Sequence, residues 1–355
     1  MRKLSFLILL FTYVSGYAQQ SEPITILPNH TGDLNCLALS DAGIIASAGS
    51  DRLINIYKAD STFAYLRTIS GLIAPVHALR FSRDGRLLAA GCSDNSIHIY
   101  DSVFRQIKLF EGHTNKVNAL LFDISRKYLF SGGDDGKVLM WEINTGKIVR
   151  TLEFGQPVYA LAQTRNRQQL YISGADPKIK VFNLVSRKLE KTFEGHSDIV
   201  NEISISRDGK WMVSGSNDKT ARVWELKTGK EIRKLGMGCW KVTSVAFSRD
   251  SKYIITGCND GSLKMWDAEN GNLITAIVLD GENFRSVALN RTASLIYAAP
   301  MLRGKSNYGI RVWPSKVNEY QNSLIEKQDT LSPAKAVDSL KTKPALINTK
   351  APKRR

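Results

Sequence analysis

The chain lacks a hydrophobic run long enough to cross a membrane. Its leading apolar stretch, residues 4–14, is about half the length of the roughly 20 residues that a spanning helix needs. Two basic residues precede it, and Gly16-Tyr17-Ala18 follows it as a small-x-small sequence. This arrangement is typical of a secretory signal peptide, with an uncleaved membrane anchor as the alternative. We therefore predict that residues 1–18 are removed and that the mature chain, from about Gln19, is periplasmic or extracellular with no transmembrane span.

Cysteine and histidine are also scarce, with four and five residues respectively in 355. No cysteine follows the apolar stretch, which argues against a lipid anchor. His77 and His98 have no carboxylate at metal-ligand spacing, and no phosphate-binding glycine motif follows a strand and opens a helix. We therefore predict neither a metal nor a cofactor. Export permits disulfides, so a bond between Cys239 and Cys258 is one hypothesis, and two free buried thiols are the other.

What the chain has instead is a repeat of about 42 residues, seen best from Gly195 to Trp224. Two short apolar runs flank Ser206-Arg207-Asp208-Gly209, and a second turn, Asn217-Asp218-Lys219, precedes a third run. Turn residues between alternating apolar runs predict antiparallel strands. A sheet of three or four strands buries only part of its apolar surface alone, so several copies must stack.

An aromatic residue ends the third predicted strand of every copy, and a turn residue stands six positions before it. The aromatic residues recur every 41 to 47 residues, at Tyr57, Tyr100, Trp141, Phe182, Trp224, Trp266 and Trp313. The turn residues are Asp51, Asp94, Asp135, Asp176, Asp218, Asp260 and Asn307. Seven pairs in register indicate seven homologous copies.

Three segments carry a family resemblance: Gly112-His113 to Trp141-Glu142, Gly195-His196 to Trp224-Glu225, and Trp266-Asp267. They resemble the WD-repeat (Trp-Asp repeat) β-propeller family. The resemblance spans about Pro23 to Pro314 and implies an all-β fold, a seven-bladed propeller of four-stranded antiparallel blades around a channel.

The two ends of the repeat region fit a closed ring. In the resembling family the first strand of the chain completes the last blade, and residues 23–27 alternate like a strand while the last copy lacks a fourth strand. Closure would remove an exposed sheet edge. We therefore predict a propeller over residues 19–314. Residues 315–355 carry three prolines and nine basic against four acidic residues, which predicts a disordered basic tail.

Histidine, serine, aspartate and an aromatic residue recur together in three copies. The sets are His30, Ser47, Asp51 and Tyr57; His113, Ser131, Asp135 and Trp141; and His196, Ser214, Asp218 and Trp224. Such residues could form a nucleophilic triad, but a catalytic site needs one copy in a pocket. In the resembling family aspartate bonds histidine, histidine reaches the strand hydroxyl, and the chain ends at the indole. We interpret the sets as structural networks.

Not every copy carries the full set. The second and sixth copies have Leu72 and Gly238 where histidine is expected, and the fourth has a shorter turn at Asp176. We predict that these three blades lack the complete network and that Asp94 contributes less to stability than Asp218.

Partner binding is the remaining prediction. We call the side with the turns between first and second strands the first-turn face, and the other side the second-turn face. The first-turn face is basic, with Arg83, Arg86, Arg126, Lys127, Arg165, Arg167, Arg207, Lys210, Arg249, Lys252 and Arg291. It is a candidate site for an anionic surface or polymer, although surface turns favour such residues in any case. The second-turn face is predicted to be acidic, which would make the ring electrically two-faced.

Residues entering the first strands on the second-turn face are candidates for binding a protein or peptide: Trp240, Lys241, Lys116, Asn115, Pro75 and Gln156. Nucleic acid is disfavoured because stacking aromatic residues are not interleaved with the basic ones. We predict a non-enzymatic interaction scaffold. The alternative is a propeller enzyme of the cell envelope or extracellular space with a site at the channel mouth.

Overall fold

The structure, a computed structural model, describes residues 22–236, 238–279, 282–301 and 308–323. Within these ranges 28 strands form seven four-stranded antiparallel sheets. The sheets are the blades of a propeller ring, which confirms the predicted fold. The predicted signal peptide, residues 1–18, and the turn residue Asn307 lie outside the described residues.

The strands follow the repeat, and only the first strand of the chain joins a distant blade. That strand is β1 (Thr25–Leu27). Blades one and two contain β2 (Leu34–Leu39), β3 (Ile44–Gly49), β4 (Ile54–Lys58), β5 (Tyr65–Ile69), then β6 (Val76–Phe81), β7 (Leu88–Cys92), β8 (Ile97–Tyr100) and β9 (Gln106–Phe110). Blades three and four contain β10 (Val117–Phe122), β11 (Tyr128–Gly133), β12 (Lys137–Glu142), β13 (Ile148–Glu153), then β14 (Val158–Gln163), β15 (Gln169–Gly174), β16 (Ile179–Asn183) and β17 (Lys188–Phe193).

The remaining blades repeat the pattern. Blade five contains β18 (Val200–Ile205), β19 (Trp211–Ser216), β20 (Ala221–Glu225) and β21 (Glu231–Leu235). Blade six contains β22 (Val242–Phe247), β23 (Tyr253–Cys258), β24 (Ser262–Asp267) and β25 (Leu273–Val278). Blade seven contains β26 (Asn283–Leu289), β27 (Leu295–Met301) and β28 (Ile310–Pro314), and β1 pairs with β28 as its fourth strand.

Burial within a blade depends on strand position. The second strands, such as β11 and β23, are almost wholly buried, because a neighbouring blade covers each of their faces. The fourth strands, such as β9, are largely exposed at the rim. Glycine allows close stacking: a Cβ at Gly132 would lie 2.4 Å from a methyl carbon of Val158 in the next blade. The blades therefore bury one another, as the repeat predicted.

The N-terminal strand closes the ring. Leu27 pairs with Ile310 and is 3% exposed, and the N–H of Ile24 donates to the carbonyl of Val312 at 2.8 Å. This confirms that residues 23–27 complete the last blade. β1 therefore covers the edge of β28 that would otherwise be open to a second chain.

Part of the predicted tail is ordered. Residues 317–323 form a short helix, in which the N–H of Tyr320 donates to the carbonyl of Lys316 at 3.1 Å. The disorder predicted for residues 315–355 is therefore wrong for this segment. Residues 316–323 contain no proline or glycine, so neither strong helix breaker interrupts this segment. Residues 324–355 lie outside the described residues.

Candidate functional site

The structure joins histidine, serine, aspartate and tryptophan into a hydrogen-bonded chain in blades three and five. In blade three, His113 Nδ1 lies 2.8 Å from Asp135 Oδ2 and His113 Nε2 lies 2.7 Å from Ser131 Oγ. Trp141 Nε1 donates to the same Ser131 oxygen at 2.7 Å. Blade five repeats this arrangement with distances of 2.8, 2.7 and 2.8 Å. Each chain joins the second-turn corner to the third strand.

Burial and hydrogen bonding set the charge states of these groups. Burial lowers the pKa of His113 and His196, so both imidazoles are neutral at pH 7. Burial also acts to raise the pKa of Asp135 and Asp218. Hydrogen bonds outweigh the effect of burial and lower both pKa values. Thr114 and His113 donate to Asp135, and Thr220 and His196 donate to Asp218. An ionised carboxylate can only accept, so the histidine Nδ1–H donates to it and the histidine Nε2 accepts from serine.

This geometry does not suit nucleophilic catalysis. Ser131 and Ser214 are 0% exposed, and each hydroxyl already bonds a histidine and an indole. No substrate carbonyl could approach either oxygen without unfolding the blade. The chain of bonds satisfies polar groups that the stacked blades exclude from water.

Blade one departs from the pattern at its aromatic residue. His30 bonds Asp51 at 2.7 Å and Ser47 at 2.8 Å, but the Tyr57 hydroxyl donates to the carbonyl of Pro28. The placement of Tyr57 at the end of the chain of bonds was therefore wrong. A phenol oxygen lies at the tip of its ring, whereas an indole N–H lies on the side, so Tyr57 reaches past the serine to the preceding loop.

Blade six replaces the histidine–aspartate contact with a covalent bond. Cys239 and Cys258 form a disulfide, with their Cα atoms 6.3 Å apart, and Trp266 Nε1 still donates to Thr256 at 3.1 Å. Asp260 lies beside the disulfide, and these three residues are the one group with metal-ligand spacing in the described part of the chain. Both sulfurs are bonded to each other, so they offer no thiolate to a metal.

The inner strands carry a feature that sequence analysis missed. Each first strand has a β-bulge at its second residue, or at its third in blade seven. The seven bulged residues are Asn35, His77, Asn118, Tyr159, Asn201, Thr243 and Arg285, and all of them line the central channel. A bulge re-aims the side chain of its extra residue. The signal was present in the sequence, because these positions recur every 41 or 42 residues directly after an apolar strand residue.

Several bulged residues also tie neighbouring blades together. Asn35 Nδ2 donates to the carbonyl of Val76 in blade two at 2.9 Å, and Asn201 Nδ2 donates to that of Val242 in blade six at 2.7 Å. The hydroxyl of Thr243 donates to the next blade in the same way. These bonds link blade to blade around the channel.

The second-turn mouth of the channel is a polar cavity of about 510 Å³. Lys116 and Lys241, both predicted as partner-binding residues, line it together with Arg285 and Tyr159. The lining among the described residues includes no carboxylate. The acidic character predicted for this face is wrong at the channel mouth, because Asp134 is paired with Lys116 at 3.1 Å and the aspartates of the histidine networks are only 3% exposed.

The other predicted partner-binding residues lie on the same face but not in that lining: Pro75, Asn115, Gln156 and Trp240. Trp240 is 72% exposed and Ile73, on the loop that enters blade two, is 78% exposed. These loops lie at the junctions of blades five and six and of blades one and two, on nearly opposite sides of the ring. Large apolar side chains on two loops of one face are typical of contact residues.

The basic residues of the first-turn face are partly neutralised. Arg126 and Arg86 both contact Asp84. Weaker pairs join Lys127 to Glu142 at 3.6 Å and Lys210 to Asp208 at 3.9 Å. Six predicted residues of this face form no ion pair with a described carboxylate: Arg83, Arg165, Arg167, Arg207, Lys252 and Arg291.

Among the described residues, none belongs to a helix with the length and apolar character needed to span a bilayer. The sequence comparisons agree with the geometry. The family described as WD domain, G-beta repeat matches residues 21–58, 64–101, 104–142, 187–225 and 229–267, which together make up more than half of the chain.

Matches to individual proteins are short. One protein named ribosome biogenesis protein BOP1 homolog, from Drosophila willistoni, is 46% identical over 43 residues, and that from Drosophila melanogaster is 44% identical over 43 residues. Each match covers 12% of this chain and 6% of the relative, which is the length of one repeat. The five family matches and the seven blades show that the chain belongs to the WD40 repeat family.

Proposed function

We propose that this WD40 propeller is an exported, non-enzymatic scaffold that binds a protein or peptide on its second-turn face. The observation that carries the proposal is the exposure of Trp240 and Ile73 on either side of a polar channel mouth. Propellers of this family generally bind protein partners. A flat apolar contact beside convergent polar groups suits a protein ligand.

Trp240 is well placed to act as a contact residue. It follows Cys239, which the disulfide to Cys258 anchors to the second strand of blade six. The next residue, Lys241, lines the channel mouth. A loop held in place before binding loses little conformational entropy when a partner docks. A partner that covers Trp240 would therefore also reach the cationic mouth.

Two observations support export. Residues 1–18 have the pattern of a secretory signal peptide, and a disulfide is a typical feature of proteins in an oxidising compartment. Mass spectrometry of the protein isolated from its host tests this directly. We expect a mature chain that starts near Gln19; an intact leader on protein recovered from the cytoplasm would contradict export.

Partner binding is tested by affinity capture from the host's cell envelope with the full chain, the Trp240→Ala variant and the Val185→Ala variant. Val185 is 73% exposed but lies between β16 and β17, on the first-turn face. We expect proteins that the unaltered chain and Val185→Ala retain and that Trp240→Ala loses. A set of captured proteins that is the same for all three would contradict the assignment of this face.

A further inference from the structure

One position of the propeller repeats as arginine around the first-turn mouth of the channel. It is the second residue of each turn between the first and second strands. The seven residues are Asp41, Arg83, Ile124, Arg165, Arg207, Arg249 and Arg291, at intervals of 41 or 42 residues. Five of the seven are arginine and one is acidic. Equivalent positions in a ring lie at equivalent distances from its axis, so these side chains surround the channel.

The contacts of this ring place its charges close together. Asp41, Arg83 and Ile124 line a cavity of about 430 Å³ at the first-turn mouth. Arg249 of blade six forms an ion pair with Asp41 of blade one at 2.9 Å, past the turn of blade seven. Burial lowers the pKa of Arg249, Asp41 raises it, and the positive charges of Arg207, Arg291 and Arg83 lower it further. The guanidinium groups of Arg207, Arg291 and Arg83 therefore lie close enough to act on that of Arg249, which is paired with Asp41.

The cavity also holds polar groups that the protein leaves unsatisfied. Gln163 lines the mouth, and neither its Nε2 nor its Oε1 has a hydrogen-bond partner among the described residues, although both atoms are buried. Unsatisfied buried amides are rare in folded proteins. Deeper in the channel, Arg80 adds a further cation and Glu202 a carboxylate. An anion at the mouth would meet arginines and an amide, and the Glu202 carboxylate would repel it from the deeper part of the channel.

We propose that this mouth binds a compact soluble anion that carries several phosphate or sulfate groups. A guanidinium group presents paired N–H donors that match the oxygens of phosphate and sulfate. Arginines at equivalent positions of separate blades around one channel mouth suit a ligand with several anionic groups, since each arginine can engage a different one. The proposal concerns the face opposite Trp240 and does not depend on the proposed scaffold function.

The test is isothermal titration calorimetry of the full chain with inositol hexakisphosphate and with inorganic tripolyphosphate, at about 0.15 M salt so that diffuse attraction is screened. The ring variant is Arg207→Gln with Arg291→Gln. The matched control is Lys210→Gln with Lys252→Gln, which removes the same charge from the same face but outside the ring. We expect the ring variant to bind at least about tenfold more weakly and the control to change by less than about threefold.

A gain of affinity provides a second test that misfolding cannot imitate. Asp41→Asn removes the one carboxylate of the ring and releases Arg249, so binding should tighten by about threefold to tenfold. Equal losses in ring and control variants would show a diffuse basic surface and overturn the proposal. So would the absence of binding to both anions, unchanged or weaker binding by Asp41→Asn, or binding only to vesicles of phosphatidylglycerol.

Discussion

Replacing Asp218 with alanine tests whether the corner networks hold the propeller together. The carboxylate accepts from His196 at 2.8 Å, from the Thr220 hydroxyl at 2.6 Å and from two backbone N–H groups at 3.0 and 3.3 Å. The histidine ring is 1% exposed, so without the carboxylate its Nδ1–H would keep only the long contact to Thr220 Oγ1, at 3.4 Å. A buried donor that loses its hydrogen-bond acceptor lowers the free energy of unfolding by about 1 to 3 kcal/mol. The backbone groups lie near solvent and can bond water, so we expect a total loss of about 1 to 3 kcal/mol.

Asp94→Ala in blade two is the matched control. Asp94 occupies the same turn position, but among the described residues it bonds only Ser96, through the Ser96 N–H at 3.2 Å and its hydroxyl at 2.6 Å. We expect this variant to lose less than about 1 kcal/mol. The assay is urea unfolding followed by circular dichroism, with the slope checked for a two-state transition. Equal losses for the two variants would refute the network as a source of stability.

A double-mutant cycle separates the contact from its surroundings. If His196 and Asp218 stabilise the blade through their mutual bond, the variant lacking both side chains should lose less stability than the sum of the losses for Asp218→Ala and His196→Ala. Additive losses would show that the two residues act independently. The loss expected for Asp218→Ala could then not be ascribed to the His196 N–H.

Four further outcomes follow from the structure. Thiol titration of the unreduced, unfolded chain should find two free thiols, because Cys239 and Cys258 are bonded; four would exclude the disulfide. Deleting residues 22–28 should lower the melting temperature, since the last blade loses β1, and an unchanged value would refute ring closure. Phe182→Trp in blade four should not raise the free energy of unfolding, because Ile172 pairs with Leu161 at the position where Ser131 pairs with Leu120, so the indole would find no hydroxyl there; a gain of about 1 kcal/mol in urea unfolding would contradict this. Stability measured by the urea midpoint should fall as pH drops below roughly 6.5, where buried neutral histidines must be protonated, and again below roughly 4 for their aspartates; a midpoint that stays constant from pH 7 to pH 3.5 would contradict it.

Stability should fall on acidification because folding lowers the pKa of both the histidines and the aspartates. Folding lowers the pKa of His113 and His196. The stability that depends on their neutral form is therefore present above the histidine pKa of the unfolded chain and is lost on acidification. Folding also lowers the pKa of Asp135 and Asp218, so their contribution is likewise lost as pH falls. The two effects add, and neither predicts a loss of stability at alkaline pH.

The fold could be predicted from the sequence because its determinants are local and repeated. A turn residue six positions before an aromatic residue fixes two strands, and seven copies fix the ring. The end of blade one's network could not be predicted in this way. Tyr57 and Trp141 occupy the same position in the repeat, but the direction of the donor on the ring decides which oxygen it reaches.

The charge of the second-turn face was predicted wrongly at the channel mouth for a related reason. Counting aspartates treats each carboxylate as exposed, whereas Asp51, Asp135 and Asp218 point into the corners and are nearly fully buried. The channel residues were missed because a bulge shifts one side chain out of strict alternation. Alternation assigns Asn118 to one face of a flat strand, and the bulge directs it into the channel instead.

The corner positions and the bulged channel positions differ in how much substitution they tolerate, and their geometry gives the reason. A corner residue must reach a specific atom of the second strand or its turn, as His113 reaches Asp135 and Cys239 reaches Cys258. Where the reaching residue is lost, as at Leu72 in blade two, the turn aspartate bonds only within its own turn. A bulged residue faces an open channel and needs only one donor to bond the next blade, so asparagine and threonine are interchangeable there, and the larger Tyr159 is also accommodated. The corners can therefore keep the ring stable while the channel and its two mouths vary in charge. A propeller built in this way can change what it binds without changing what holds it together.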